Sequence, residues 1–316
     1  MPGKPKLGIS ACLLGERVRY DGQHKYDAFL VEMLGRYAEY VPVCPEVACG
    51  LPVPRESMHL EGDPAKPRLL TTRTRKDLTG QMLDWVAKRV EELADEGLCG
   101  FVFKSKSPSS GMERVKVYND KGGVIGSAPG LFAREFIKGF PLLPVEDEGR
   151  LNDPNLRANF IERVFTLNRY RTAIGGRKTP ANLMEFHAAH KYLLLAHSEK
   201  HMRAMGRLTA DANARTIGDV CRRYEELLLE GMKTHATPKR HANVLEHILG
   251  FFKDELTSAE KKELLGLIDE MRKGNMPLIA TLTLVKHYVS KYNVAYLHDQ
   301  IYLSPSPAEL ALLYHA

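Results

Sequence analysis

Cysteine, glutamate and serine side chains cluster in three segments of the first third of the chain. The segments are Ser-Ala-Cys at 10–12, Val-Cys-Pro-Glu at 43–46 and Lys-Ser-Lys-Ser-Pro-Ser-Ser-Gly at 104–111. Each follows a short apolar run that is typical of a buried strand. Loops at the carboxyl ends of parallel strands meet in one crevice, so we expect Cys12, Cys44 and Glu46 to share a pocket with the serine segment.

Thiolates at such a pocket could bind a metal, although a buried thiol in the core is the commoner fate of cysteine. Cys44 is followed by a proline and then Glu46, an extended turn that aims a carboxylate into the same crevice. Cys49 lies in the same segment and could supply a third thiolate. Cys99 directly precedes a predicted strand and Cys221 lies inside a helical window, so both are expected in the core.

The number of thiolates bears on the kind of metal site. A structural zinc site needs four ligands, and no histidine lies near these cysteines in the sequence. An iron–sulfur cluster is held by cysteine thiolates, and three of them leave one iron open to a substrate. Spacing alone does not choose between metals.

The elements that must position these residues alternate between strand and helix. The predicted strands are 7–13, 40–43 and 101–103, and the predicted helices are 27–37, 74–96 and 129–140. This order predicts a mainly parallel sheet with helices on its faces. The N-terminal fold class is therefore α/β.

The pattern changes after residue 150. Amphipathic windows then dominate, at 155–172, 182–197, 217–234, 241–252, 258–273 and 277–291. Glycine or proline separates several of them. We therefore predict two domains, an α/β domain over 1–150 and an all-α domain over 151–316.

Composition limits the classes of function. The 316 residues suffice for two domains, each with a core of its own. No apolar run could cross a bilayer and the first residues lack an apolar secretory stretch, so we expect a cytoplasmic protein that does not enter membranes. Residues 1–150 hold 22 Lys and Arg against 21 Asp and Glu, and the rest of the chain holds 23 against 18. This mild basic excess in the second domain fits a polyanionic partner. The oligomeric state is left open.

The segments also carry a resemblance. Ser10-Ala-Cys-Leu-Leu-Gly-Glu-Arg-Val-Arg-Tyr-Asp-Gly22, Val43-Cys-Pro-Glu46 with Gly50-Leu-Pro-Val-Pro-Arg55, and Phe103-Lys-Ser-Lys-Ser-Pro-Ser-Ser-Gly111 resemble the signature segments of the thiouracil desulfidase family. The second part, with Phe186-His-Ala-Ala-His-Lys-Tyr-Leu-Leu-Leu-Ala-His197, Arg240-His-Ala-Asn-Val-Leu-Glu-His247 and Pro277-Leu-Ile-Ala-Thr-Leu-Thr-Leu-Val-Lys-His287, is similar to the YbgA-like domain. The fusion most closely resembles the bacterial tRNA 4-thiouridine desulfidases.

This resemblance implies a [4Fe-4S] cluster on three cysteines, whose open iron receives the sulfur of a thiocarbonyl. Cys12 and Cys44 match two of the ligands, and Glu46 matches the catalytic acid of the family. Short members that act on free bases have cysteine at the position of Ser110. Cys49 stands where those members usually have glycine, which makes it the substitute ligand that we favour over Cys99.

The same resemblance suggests roles around the cluster. Glu46 would take a proton from the attacking water. The hydroxyls of Ser107 and Ser109 would bind the pyrimidine edge or the developing charge, although the segment could also be a simple Ser-Pro turn. Four further residues are assigned to substrate binding: Arg19, Tyr20, Arg55 and Ser110.

The basic residues of the second domain could contact tRNA. The candidates are Lys191, Lys200, Arg203, Arg207, Lys239 and Arg240. Each group alone is usually a solvated face, and the fusion to a base-modifying unit favours the RNA role. The histidines 187, 190, 197 and 201 could suggest a metal, but packed or surface positions are expected because no acidic residue completes a motif.

These observations predict removal of sulfur from 4-thiouridine in tRNA. One alternative is a desulfidase of free thiouracil or another small thiolated compound. A second is a non-catalytic iron–sulfur sensor or RNA-binding module, in which Glu46 would be dispensable.

Overall fold

The computed structural model describes residues 3–305 together with Glu309 and Leu312. The chain forms two compact units, which divide between Asn168 and Arg169. We call them the α/β unit and the helical unit. Within the described residues, no helix is both long enough and apolar enough to cross a membrane.

Within the described residues, the α/β unit contains eight strands and three complete α-helices. The strands are β1 (Lys6–Ser10), β2 (Glu39–Val43), β3 (Met58–Glu61), β4 (Arg68–Thr71), β5 (Gly100–Phe103), β6 (Val115–Tyr118), β7 (Val124–Ala128) and β8 (Val145–Asp147). The helices are α1 (Pro45–Ala48), α2 (Thr79–Asp95) and α3 (Leu131–Gly139).

The strands make two four-stranded sheets. The first has the order β2-β1-β5-β8, and all its pairs are parallel. The second has the order β4-β3-β6-β7 and mixes antiparallel with parallel pairs. The α/β class predicted for this unit is thus confirmed, whereas the second sheet was not predicted because its strands are only four or five residues long and partly exposed.

The two central strands of the parallel sheet, β1 and β5, are largely apolar on both faces. Every residue of β5 is buried, and only Lys6 of β1 is exposed. Helix α3 covers β5 through aromatic contacts, since the ring centres of Phe101 and Phe136 lie 4.7 Å apart and those of Phe103 and Phe132 lie 6.1 Å apart. This packing fixes the sheet end from which the site loops emerge.

Three local predictions for this unit differ from the structure. The strand expected over 7–13 stops at Ser10, where a 3₁₀ turn over Ala11–Leu14 begins. The helix expected over 27–37 is a π-helical turn at Phe29–Met33 followed by a 3₁₀ turn at Leu34–Arg36. Helix α3 starts at Leu131 after an extended Gly130, so Pro129 lies before it.

The helical unit begins within a long helix, and the structure describes seven further α-helices up to residue 305. These helices are α4 (Pro154–Gly175), α5 (Pro180–His197), α6 (Glu199–Ala210), α7 (Ile217–Met232), α8 (Pro238–Leu249), α9 (Ser258–Arg272), α10 (Leu278–Lys291) and α11 (Ala295–His298). The predicted helical class is confirmed. Helix α6 was not predicted as a separate element, because the break before it is one residue, Ser198, whose side chain caps α6 by accepting from the His201 amide.

Helix α4 crosses the division between the units. The predicted boundary at 150 falls four residues before this helix, but the α/β unit continues to Asn168. Phe160, Ile161 and Val164 are buried. A Cβ built on Gly100 would lie 2.9 Å from Val164 Cγ2, which shows how closely the helix approaches β5. The first half of α4 therefore completes the α/β unit.

Histidines of the helical unit are packed, as expected. His187 Nδ1 lies 3.0 Å from the Tyr224 hydroxyl, and His190 Nδ1 lies 2.8 Å from the Phe186 carbonyl oxygen. The Arg169 Nε group donates to His190 Nε2 at 3.0 Å, so His190 is neutral with its proton on Nδ1. Burial lowers the pKa of His187 to about 4 and that of His190 to about 3.

Acidification should therefore destabilise the helical unit. Between pH 6.5 and 4 a histidine of the unfolded chain is protonated, while these two histidines of the folded protein stay neutral. The free energy of unfolding therefore decreases as the pH falls below 6.5. At pH 5 the loss is about 2 kcal/mol per histidine. Urea unfolding at pH 7.5 and pH 5 measures it. His187→Gln should lose less on acidification than the control His235→Gln, whose side chain is exposed. Equal losses would contradict this account.

Candidate active site

A cavity of about 420 Å³ lies at the carboxyl ends of β1, β2 and β5. Cys12, Cys44 and Glu46 line it, as do Ser107, Ser109 and Ser110, which we call the serine loop together with Pro108. The rim residues Arg19 and Tyr20 and the side chain of Arg55 also line it. The structure thus brings together nine of the ten residues assigned from the sequence to the pocket, and the tenth is Cys49.

The two cysteines of the cavity lie at the ends of neighbouring strands. Cys12 is in the 3₁₀ turn after β1, which Gly15 closes in a left-handed conformation at φ 93°. Cys44 follows β2 and is the N-cap residue of α1. Burial raises the pKa of Cys12 to about 11 and also raises that of Cys44. Both are neutral thiols near pH 7 unless a bound cation stabilises the thiolate.

Glu46 faces the serine loop from the first turn of α1. The Ser109 hydroxyl donates to Glu46 Oε1 at 2.8 Å, and the Ser107 hydroxyl lies 3.5 Å from the same oxygen. The two serine hydroxyls are 3.0 Å apart. This arrangement joins a carboxylate to two hydroxyl groups in one network, which can accept, donate or pass on a proton.

The opposite side of the carboxylate is bound by arginine. Arg55 Nε donates to Glu46 Oε2 at 3.0 Å, and Arg55 Nη2 donates to the same oxygen and to the Val18 carbonyl at 2.9 Å. The Arg55 side chain is 5% exposed and that of Glu46 is 14% exposed. Sequence reasoning assigned Arg55 to the substrate and missed this ion pair, because the contact joins a helix residue to a loop residue nine positions later.

The serine loop is held by its own turn and by helix α3. The Gly111 amide donates to the Ser107 carbonyl at 2.7 Å, and the Phe132 amide donates to the Ser109 carbonyl at 2.9 Å. A Cβ built on Gly130 would lie 2.5 Å from the Ser109 carbonyl carbon, closer than real atoms approach. Glycine at this position lets the start of α3 touch the loop backbone.

The rim of the cavity is polar and aromatic. Arg19 Nε lies 3.3 Å from Asp21 Oδ1, and the Arg19 guanidinium carbon lies 5.6 Å from the centre of the Tyr20 ring. Tyr20 is 43% exposed. The Arg55 amide donates to the Tyr20 carbonyl at 2.8 Å, which ties the rim to the pocket wall.

The third thiol is close to the pocket but does not line it. Cys49 follows α1, and its Sγ lies 3.3 Å from the Glu46 carbonyl oxygen. Among the residues that the structure describes, no three histidine, cysteine or acidic side chains are grouped closely enough to hold a metal ion.

Cys99 is in a different part of the α/β unit. It immediately precedes β5, whereas the cavity lies at the other end of that strand, about 13 Å away for four residues. Cys99 and Cys221 are both buried, as expected. This placement favours Cys49 over Cys99 as a third ligand.

Lysine residues of the cavity were not assigned from the sequence. Lys104, directly after β5, lines the cavity and its ammonium group contacts Glu148 and the Ser105 carbonyl. Lys25 and Lys106 line it as well. Lys104 and Lys106 belong to the segment that carries the serines. Their alternation with these serines in the sequence could have indicated that they lie near the same cavity.

The basic residues assigned to RNA lie on three helices. Lys200, Arg203 and Arg207 are exposed on one face of α6, while Met202 and Met205 on the other face are buried. The remaining three are Lys191 on α5 and Lys239 and Arg240 in the first turn of α8. Arg203 pairs with Glu199, and Arg240 donates to the His235 carbonyl.

Comparisons with known proteins agree with the two-part architecture. The family model "2-thiouracil desulfurase" matches residues 7–148, and the model "protein of unknown function (DUF1722)" matches residues 191–307. The uncharacterized protein YbgA of Escherichia coli K12 is 32% identical over 151 residues, which are 48% of this chain and 89% of that protein. The chain belongs to the YbgA family, with a 2-thiouracil desulfurase domain ahead of the YbgA-like domain. The resemblance of the two parts to the desulfidase family and to the YbgA-like domain is thus confirmed, whereas these comparisons do not show specificity for tRNA.

One solved structure is also similar to this chain. It is the [4Fe-4S]-dependent thiouracil desulfidase TudS, with 29% identity over 48% of this chain and 95% of that protein and a TM-score of 0.39.

Proposed function

We propose that the chain removes sulfur from 4-thiouridine in tRNA with a [4Fe-4S] cluster held by Cys12, Cys44 and Cys49. One observation carries the proposal. Two thiols, a carboxylate and two linked hydroxyls line a single cavity in a domain of the 2-thiouracil desulfurase family. The cofactor expected from the sequence is the one named for TudS.

The thiols suit the proposed cofactor. Cys12 is buried and Cys44 is half-buried, at the ends of neighbouring strands, and Cys49 is separated from Cys44 only by the single turn of α1. When bound, a cluster with three protein ligands supplies an iron that can bind the thiocarbonyl sulfur and polarise the carbon–sulfur bond. The chain supplies the groups around that sulfur.

Glu46 is the base of the proposed reaction. It takes a proton from water while the water oxygen bonds to the ring carbon, after which the carbon–sulfur bond breaks and sulfur leaves as sulfide. Oxygen replaces sulfur with no net change in oxidation state. Arg55 and Ser109 hold the two oxygens of Glu46 in place, and the Ser107 hydroxyl, which is linked to that of Ser109, would bind the pyrimidine.

The helical unit supports tRNA as the substrate. The exposed face of α6 carries Lys200, Arg203 and Arg207, and phosphate contacts of this kind supply most of the affinity of basic proteins for nucleic acid. A weakly paired nucleotide can leave its stack at a cost of a few kcal/mol to reach a pocket.

Free thiouracil is the second candidate substrate. It is favoured by the description of the matching family and by the name of TudS. Turnover on thiolated tRNA and on the free base, compared in one preparation, distinguishes the two. A clear preference for the free base would leave the desulfidase proposal standing and remove its tRNA part.

Replacement of Cys49 tests the ligand set. Cys49→Ala, like Cys12→Ala and Cys44→Ala, should reduce iron and sulfide per chain after anaerobic reconstitution and remove the thiolate-to-iron absorption near ~400 nm. Cys99→Ala is the matched control and should keep the cluster. A full cluster in Cys49→Ala, together with loss of the cluster in Cys99→Ala, would show that the assignment of Cys49 as the third ligand is wrong.

Glu46→Gln separates chemistry from cluster binding. The amide retains an acceptor for Ser109 but cannot take the proton, so turnover should fall by roughly 10²-fold or more. Iron content should stay at the wild-type level. The control is Glu16→Gln, because the Glu16 side chain is exposed and lies outside the cavity. Turnover close to wild type would exclude Glu46 from the mechanism.

Charge reversal on α6 tests the RNA contact. Arg203→Glu with Arg207→Glu should weaken binding of thiolated tRNA and lower the salt slope by about 0.7–0.9 for each lost phosphate contact. The control reverses Arg222 and Arg223, which are exposed on α7. Equal effects of the two pairs would indicate a general charge effect, and no effect of the α6 pair would remove this helix from the interface.

A further inference from the structure

The lysine that follows β5 lies next to the turn that carries the first cysteine. Ile9 of β1 is paired with Val102 of β5, two residues before Lys104. The Lys104 amide donates to the Ser10 hydroxyl at 2.9 Å, and Ser10 is the N-cap residue of the 3₁₀ turn that contains Cys12. The side chains of Lys104 and Cys12 both line the cavity. The parallel sheet therefore brings an ammonium group and a thiol to the same wall.

One carboxylate fixes the Lys104 side chain. Glu148, directly after β8, accepts from the Ser105 amide through Oε2 at 2.7 Å and from the Ser105 hydroxyl through Oε1 at 2.7 Å. The Lys104 ammonium contacts the same Oε1, and it also donates to the Ser105 carbonyl oxygen at 3.1 Å. The Lys104 side chain is 19% exposed and that of Glu148 is 15% exposed. Both charged groups are thus held in the wall and largely shielded from water.

This conformation is unusual for a lysine side chain. An ammonium group is strongly hydrated and its stem is flexible, so lysine normally extends into water. Ordering such a side chain costs up to about 2 kcal/mol of conformational entropy. The contacts of Lys104 with Glu148 and Ser105 offset that cost. Glu148 therefore decides where this positive charge lies.

The ion pair presents its positive end to the cavity. Lys104 lines the cavity, whereas Glu148 is not among its lining residues. Burial raises the pKa of the Cys12 thiol to about 11, and Lys104 is the charged group that opposes this rise most. Glu148 adds to the rise less than Lys104 opposes it. The cavity thus contains a fixed positive field at the cysteine turn.

Thiolate ligands are the groups on which this field would act. A cluster is held by thiolates, and three of them bring negative charge into a pocket where Cys12 is buried. A fixed cation nearby lowers the energy of that charge. The net charge around an iron–sulfur cluster is also one determinant of its reduction potential.

We propose that Lys104 is the cation that offsets the thiolate charge of the cluster, and that Glu148 is a positioning residue that holds Lys104 in the cavity wall. The proposal rests on the cluster of the proposed function. It concerns the electrostatic environment of the cluster ligands and adds two residues to the machinery of the site, one of them outside the cavity.

Replacement of Lys104 tests the charge. In the full-length protein reconstituted anaerobically, Lys104→Gln should make reduction of the cluster less favourable by roughly 3- to 10-fold, about 30–60 mV toward negative potential for a one-electron couple. Lys104→Arg keeps the charge and should stay close to wild type. The control Lys116→Gln removes an exposed lysine outside the cavity and should also leave the potential unchanged. Equal potentials in Lys104→Gln and Lys116→Gln would overturn the role of Lys104.

Glu148→Asp separates reach from charge. Aspartate keeps the negative charge but is one carbon shorter, so it cannot hold both Ser105 and Lys104. The potential should shift in the same direction as in Lys104→Gln, and the two changes combined should add little to either alone. The control Glu113→Asp shortens an acidic partner of Arg150 outside the cavity and should leave the potential unchanged. A wild-type potential in Glu148→Asp, or full additivity in the double variant, would overturn the positioning role.

Iron release gives a second measurement for variants that hold little cluster. Transfer of iron to an excess of chelator under argon should be roughly 3- to 10-fold faster in Lys104→Gln and Glu148→Asp than in the wild type, because the thiolates lose a stabilising charge. Lys104→Arg and Lys116→Gln should release iron at the wild-type rate. Equal rates in all four variants would overturn the proposal.

These outcomes separate the proposal from the proposed function, since the potential and iron release are measured without substrate. A potential that responds to Lys104→Gln, with no turnover on any thiolated compound, would support the charge role and contradict the proposed function alone. Desulfidation by the wild type, with potential and iron release unchanged in Lys104→Gln and Glu148→Asp, would overturn this proposal alone.

Discussion

The ion pair between Glu46 and Arg55 is the contact on which the pocket depends. Arg55 binds one carboxylate oxygen and the Val18 carbonyl, while Ser109 donates to the other oxygen. The first turn of α1, the loop after β1 and the serine loop are thereby joined through one side chain. Both charged groups are mostly shielded from water, so each is costly to leave there without any polar partner. A glutamine at position 46 would still accept hydrogen bonds from Arg55 or Ser109, so the segments would stay joined while the base is lost.

The two units contribute different kinds of contact to the proposed substrate. The α/β unit provides a deep pocket in which thiols, hydroxyls and a carboxylate meet, and this arrangement suits a single base. The helical unit provides an exposed basic face on α6 that repeats with the helical period and suits an extended backbone. Recognition of the base and recognition of its nucleic-acid context would thus come from separate parts of the chain.

Much of this arrangement could be predicted from the sequence where the signal is local. The apolar runs of β1 and β5 indicated strands, and their ends located Cys12 and the serine loop. The second sheet escaped prediction since its strands are short and only partly buried. The Glu46–Arg55 ion pair was not predicted for another reason. Its members are nine residues apart, and a contact between them produces no periodic pattern in the sequence. The orientation of a single side chain, such as that of Cys49 toward the Glu46 carbonyl, cannot be predicted from sequence patterns.

The close contact between Gly130 and the backbone of Ser109 gives the pocket one stiff wall. The start of α3 presses directly on main-chain atoms there, and the aromatic packing of α3 on β5 leaves little room for either to shift. At the rim, by contrast, Tyr20 is 43% exposed, and Arg19 pairs with Asp21 rather than with a buried group. The pocket is thus asymmetric in its freedom to change. Related sequences could acquire larger or smaller substrates by altering the exposed wall, while the wall that carries the hydroxyls is constrained to the same shape.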